Sequence, residues 1–545
     1  MVDLKKTLAA MAAGTAMLTA TPAFADWMRA ETPHFVIYAD SNEREIERLA
    51  RKLELFDGAV RSARGVPNIE LATENKLTVY FVERVSDIRD QLGRGGGVAG
   101  FYNARASGAQ AFVPMEAGSG EAESLNADVI FFHEYAHHLM YERLSGPIPA
   151  WLSEGWAEFF STAQVDEGDA EVEIGRAAMH RAQAIRYLPT MPIQEMLSNE
   201  YDRRDGRKVA SIYAWGWVMT HYLTFDEDRQ GQLNAYLAGL AQGVPALEAA
   251  EAAFGNLDRL QGQMKSHAER HRIPYVKLPI EPLDDDAIEI TELSDGFAAA
   301  MPHYMRSQAG VTKEMAEEVV TALRTVARLH HDDAMVFRAL AEAEFDVGNY
   351  EAAGAAADRA IEIDPQLVDA HLYRAKAAMA MATDEEAPVD EDTRSELFSL
   401  ARDHIGEARL LAPNDPHPLV LYYESFVEDD GFVPQDAWAG MIRAVQLAPF
   451  DRSLRFNVAQ FLLNNGKPND ALFLLAPIAL DAHGTSLAEM ADAIVDKLRE
   501  GDVDGARTAA AEYREKMEAG PEEAEGDGED GDSEDGEGDG EALRF

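Results

Sequence analysis

The sequence predicts an α+β domain followed by an all-α array of helical repeats. Three observations carry that prediction. Between Asp26 and about Met115, strand-like alternation and helical spacing take turns. From about Leu125 to Tyr275 the pattern is mostly helical. Beyond residue 311 an Ala…Ala…Pro signature recurs at similar intervals, the mark that stacked helical units leave in a chain.

The 545 residues are too many for one core, so two or more domains are expected. Hydrophobic residues make up 46%, which is ordinary for globular protein. No apolar run after the first residues is long enough to span a membrane. The first residues stand apart: Lys5 and Lys6, a short apolar stretch, then Ala23-Phe24-Ala25. Residues 1–25 therefore read as a secretory signal cleaved after Ala25, which places the mature chain in the periplasm or outside the cell. Cysteine is absent, so neither a disulfide nor a lipidated cysteine tethers it. The net charge is −48, or −49 once Asp3, Lys5 and Lys6 are removed. That balance argues against nucleic-acid and anionic-lipid partners.

"HFVIYAD" and "KLTVYFVE" read as strands, with "NEREIERLARKLELFDGAV" as the amphipathic helix between them. "VAGFYNARASGAQAFVP" reads as a hairpin turning within Asn103–Gly108. The glycine-rich "GRGGGVAG" before it lacks the Gly-Lys-Ser/Thr of a phosphate loop and reads as a flexible connection. Prolines and acids in "IPYVKLPIEPLDDDAIEI" mark a boundary, with a linker over 276–310. Beyond it, "LAEAEFDVGNYEAAGAAADRAIEIDP" carries Ala341, Gly348, Tyr350, Ala353, Ala360 and Pro365 in register. This resembles a tetratricopeptide repeat, with small residues where paired helices touch. Equivalent positions Ala353, Ala401, Ala437 and Ala471 are spaced by 48, 36 and 34 residues. The long first interval holds an acidic insert, Thr383 to Glu396. Four repeats thus occupy about 311–485, within a helical domain over 311–518. The acidic, glycine-rich 519–545 reads as a disordered tail, without the spacing of a calcium loop.

The segment "VIFFHEYAHHLMYERLSG" carries the chemistry. On a helix, His133 and His137 stand at i and i+4 on one face and could hold one ion from one side. Neutral imidazoles suit zinc, and three protein ligands leave a fourth position for water. Just after the turn, "WLSEGWAEFF" places Glu154 and Glu158 at i and i+4 on an otherwise apolar helix. Buried carboxylates need a cation or a metal, so this pair reads as one ligand and its supporting residue.

The arrangement His133-Glu134-Tyr135-Ala136-His137, sixteen residues, then Glu154 in "SEGWAE", resembles the gluzincin metallopeptidases, the thermolysin-like and aminopeptidase-like group. The resemblance covers about residues 30–275 of a domain over 26–275 and implies a zincin-like fold there. It implies one zinc per chain held by His133, His137 and Glu154, with Glu134 as general base. It implies that Glu158 fixes the orientation of a ligand histidine. Such sites also use a hydrogen-bond donor for the oxyanion; Tyr213 in "ASIYAWGWVMTHYL" is the first candidate and His221 the second. A sheet edge lining the cleft is expected at Ala109–Pro114. His138 points about 100° from His137 and reads as packing or surface. His180 has no partner pattern. "HAERH", His267 to His271, has ligand spacing but reads as a solvated helix end.

The expected function is an exported zinc-dependent peptidase acting on peptide or protein substrates, its repeats recruiting substrate or partner proteins. The competing expectation is a catalytically silent zinc-binding scaffold whose repeats bind proteins in the cell envelope.

Overall fold

The computed structural model describes residues 27–84, 86, 88, 101–115, 127–142, 146–429, 431–482 and 485–518. The expected signal, the glycine-rich stretch and the acidic tail lie outside them. Five strands come first: β1 (Trp27–Glu31), β2 (Phe35–Asp40), β3 (Leu77–Val82), β4 (Phe101–Arg105) and β5 (Gly108–Pro114). A small antiparallel sheet follows from β6 (Gln164–Asp166), β7 (Glu171–Ile174) and β8 (Val276–Pro279), and β9 (Glu289–Glu292) returns to the first sheet. The main sheet runs β4-β5-β3-β2-β1-β9, with β2, β3 and β5 parallel.

The central strands are apolar on both faces because both faces are covered. Phe35, Ile37, Val79, Phe81, Ala111 and Val113 meet α1 (Glu43–Arg64) and α2 (Ala127–Tyr141). Tyr80, Val82 and Phe112 point the other way, into a second core with helices beyond residue 295. The hairpin forms as expected but turns tightly at Ala106-Ser107, pairing Arg105 with Gly108. One expectation is overturned here. Ala109–Pro114 is not the sheet edge, because β5 is flanked by β3 and β4; the edge beside α2 is β4.

Helices α3 (Ala150–Ser161), α4 (Ala182–Tyr187), α5 (Ile193–Ser198), α6 (Gly206–Phe225), α7 (Gln232–Ala241), α8 (Ala246–Phe254) and α9 (Leu257–Ala268) complete the first domain. Helices α3 and α6 cross closely where Gly155 meets Gly216. A Cβ built on Gly155 would lie 2.8 Å from the Gly216 Cα and closer still to its carbonyl. Neither position can carry a side chain while the helices stay this close.

The stretch 276–310 is not a linker. Its β8 pairs with β7, and β9 pairs with β1. Its helix α10 (Asp295–Ala309) buries Phe297, Met301 and Tyr304 against the back of the sheet. Prolines and acids marked strands short and exposed enough to read as a linker. The helix pairs begin here: α10 with α11 (Lys313–Leu329), α12 (Ala334–Asp346) with α13 (Tyr350–Ile363), and α14 (Val368–Thr383) with α15 (Glu391–Leu411). They continue as α16 (His417–Val427) with α17 (Gln435–Leu447), α18 (Arg452–Asn464) with α19 (Pro468–Ala479), and α20 (Ser486–Arg499) with α21 (Val503–Glu518). Ala353, Ala401, Ala437 and Ala471 are all fully buried, as their place in the repeat pattern requires. The acidic insert lengthens the α14–α15 connection and starts α15 early, at Glu391. The array is longer than expected by one pair at each end.

Gly155→Ala is expected to lower stability by about 3 kcal/mol, because the new methyl meets backbone that cannot move aside. Thermal unfolding of the full chain checks this; an unchanged midpoint would show that α3 and α6 can separate freely.

Candidate metal centre

The turn Gly146–Pro149 folds α3 back against α2, so the two motifs face one another. His133 Nε2 and His137 Nε2 lie 3.2 Å apart, and each lies 3.3 Å from Glu154 Oε2. This near-equilateral triangle is the base of a tetrahedron. At metal–ligand distances of about 2.0–2.1 Å, tetrahedral zinc spaces its ligands by roughly 3.3–3.4 Å. The residues present therefore fit zinc in size and in donor type.

Electrostatics point the same way. Burial disfavours charge on His133, yet the hydrogen-bonding carboxylates of Glu154 and Glu158 outweigh it and lift its pKa to about 10. The pocket thus favours a positive charge where the ligand atoms converge. Glu154 and Glu158 are themselves buried, and burial raises a carboxyl, but His137 and His133 drive Glu154, and His133, His180 and Arg181 drive Glu158, well below the usual range.

A second layer of residues holds the ligands. Glu158 Oε1 lies 3.4 Å from His133 Nδ1. Its other oxygen meets His180 Nε2 at 2.6 Å, and Arg181 donates twice to Oε1, at 3.0 and 2.6 Å. Ser153 Oγ stands 3.4 Å from His137 Nδ1 and 3.3 Å from the Tyr141 hydroxyl. On the far side of α2, the Tyr135 hydroxyl donates to Asp57 at 2.7 Å, and Glu142 receives Arg61. Asp57 also joins His34 and Glu54 in a buried group of metal-ligand type, but its oxygens are taken by Arg61 and Tyr135. That group clamps α2 to α1.

Glu134 is half-buried and borders a narrow cleft with Tyr102, Ala111–Pro114, Ala127, Ile130 and Phe131. Tyr213 stacks beside His133, ring centroids 5.7 Å apart, and carries the Arg181 guanidinium over its ring at 4.6 Å. Burial and the charges of Glu154 and Glu134 push its hydroxyl up, so it stays protonated as a donor.

Other histidines fall elsewhere. His138 is buried, its Nδ1 lies 2.6 Å from the Tyr102 hydroxyl in a hydrogen bond, and it packs on Tyr135 and Phe450. His221 does not reach the centre: its Nε2 meets the carbonyls of Gly175 and Pro274, and its Nδ1 meets His267 at 2.8 Å. His267, near the C-terminal end of α9, is buried beneath α6 rather than solvated; the charged neighbours that suggested exposure, Glu269 and Arg270, lie beyond the helix end and are exposed. His180 and Arg181 are the residues that sequence reasoning missed. They come from a short turn after β7 with no periodic signal, and only the fold brings them to Glu158.

Residues 129–246 match a family described as "Protein of unknown function (DUF1570)". That span contains every residue of the centre. No curated protein sequence matches the chain. Among solved structures, similarity is found to a thermophilic TPR protein of Thermus thermophilus. Identity is 13%, over 39% of this chain and 99% of that one, at a TM-score of 0.29. MamA 41-end from Desulfovibrio magneticus RS-1 is 16% identical over 32% of this chain and 89% of its own, at 0.24. Yeast Tom70 is 15% identical over 61% and 69%, at 0.23. The helix-pair array described above stands on its own contacts, not on these likenesses.

Glu158→Gln is expected to weaken zinc affinity about 10- to 100-fold, as lost outer support does elsewhere. Chelator competition measures it; unchanged affinity would remove Glu158 from the centre. The His221–His267 pair sets a pH limit. Burial, with His267 beside His221 and Arg270 beside His267, depresses both pKa values to about 4. Between about 4 and 6.5 the unfolded chain binds more protons than the folded one, so stability falls as pH falls through that window. Imidazole signals of these two residues titrating near pH 4, with a falling unfolding midpoint, are expected; titration near 6.5 would show both rings in water.

Proposed function

We propose that the chain is an exported zinc-dependent metallopeptidase. The observation that carries this reading is the triangle of His133, His137 and Glu154 donor atoms beside an acidic neighbour, Glu134, that stays outside it. Zinc, when bound, acidifies a water and polarises a carbonyl.

The chain's own residues supply the rest. Glu134, next to His133 in sequence and outside the triangle, would take a proton from the attacking water and return it to the leaving amine. Tyr213, held protonated, offers its O–H to the carbonyl oxygen as charge gathers there. Glu158, fastened by His180 and Arg181, keeps the His133 ring oriented. A purely structural zinc site would close its fourth position with a protein ligand and would need no general base. The signal-like leader supports export to the periplasm or beyond, and the helical repeats support binding of protein substrates or partners. The repeats also sustain a second reading, a silent zinc-binding scaffold.

The decisive experiment measures zinc by elemental analysis and hydrolysis of a peptide library, for the wild type and Glu134→Gln. One zinc per chain in both is expected, with hydrolysis reduced at least about a thousandfold in the variant. Hydrolysis unaffected by the substitution would defeat the mechanism; zinc binding with no hydrolysis by the wild type would establish the scaffold.

A further inference from the structure

The connections between successive helix pairs touch the first domain about one repeat apart. The Asn414 carbonyl accepts from Asn75 Nδ2 at 3.1 Å, Asp451 Oδ2 from the Ala106 amide at 2.7 Å, and the Ala482 carbonyl from the Tyr201 hydroxyl at 3.3 Å. The array therefore lies edge-on against the metal-site domain. The middle contact is buried: Asp451 and Ala106 are each 8% exposed, and Ala106 joins the core of α16–α21. Asp451 serves two amides at once, since its Oδ1 caps α18 at the Leu454 amide, 2.8 Å away.

What Asp451 holds is the end of β4. Ala106 follows directly on that strand. The other end is held through the preceding residue of the array: Phe450 packs on His138 at 4.9 Å, and His138 Nδ1 is hydrogen-bonded to the hydroxyl of Tyr102, the second residue of β4. Tyr102 also lines the cleft that Glu134 borders. Among the described strands β4 has one partner, β5, so its outer amides and carbonyls form a sheet edge of the kind an extended peptide extends. A hairpin edge is mobile on its own. Ordering it before a peptide arrives removes that cost from binding.

We infer that the repeat array is the positioning element of the peptide-binding edge. Asp451 pins one end of β4 directly, and Phe450 steadies the other through His138. The inference rests on the peptidase reading for its substrate, an extended peptide, and on the geometry alone for the pin. Neither residue touches the reacting atoms; both act through β4.

The test uses the full chain with Asp451→Ser, which keeps a helix-capping oxygen but cannot serve both amides, and Phe450→Ala, which leaves the cap intact. Three quantities are read: hydrogen exchange over residues 101–114, zinc content, and peptide hydrolysis. Exchange of the β4 amides is expected to quicken on the order of tenfold, with one zinc per chain retained. KM rises by a similar factor while kcat changes little. Unchanged exchange in both variants would overturn the pin. Loss of zinc together with kcat would overturn the positioning role in favour of general collapse. A wild type that cleaves no peptide refutes the peptidase reading alone, and the exchange measurement then decides the pin by itself.

Discussion

Two carboxylates on one apolar helix set the terms for the rest of the first domain. Glu154 and Glu158 lie on α3 among Trp151, Leu152, Phe159 and Phe160, and both are buried. Carboxylates so placed are costly unless cations surround them. The fold brings His133 and His137 from α2, and His180 and Arg181 from the turn after β7. Even so, His133 is pulled toward its charged form, so the pocket remains short of positive charge. A divalent ion at the converging donor atoms would supply it.

That constraint explains the packing around α3. The helix must approach α2 closely enough for three donor atoms to meet, while α6 presses from the opposite side to bring Tyr213 beside His133. The Gly155–Gly216 crossing makes both approaches compatible. Behind α2, the Asp57–Arg61–Tyr135–Glu142 network fixes the rotation of the motif helix from its rear face. Here buried ionic groups act as register pins rather than as a net source of stability.

The helix pairs extend the same logic outward. Their first pair covers the back of the sheet with an apolar core, and later connections meet the domain edge through both hydrogen bonds and apolar packing, with Phe450 on His138 and Ala106 in the core of the array. A repeat array whose outer connections are spent on its own neighbouring domain has less surface for partners than a free solenoid. What it gains is a fixed relation to the strand beside the candidate metal centre.

Local spacing carried a good deal of this. The histidine pair, the glutamate pair four residues apart, the hairpin and the buried alanines at 353, 401, 437 and 471 were legible because helix and strand periods place such residues on one face whatever the surroundings. The same periods could not show that β4 rather than β5 is the edge, since strand order depends on pairing partners far along the chain. Nor could they show that 276–310 closes two sheets, because short exposed strands with prolines and acids look like a linker. His180, Arg181 and Asp451 reached their roles through contacts across 22, 23 and 345 positions. Residues so distant carry no shared period, and only packing of the whole chain brings them together.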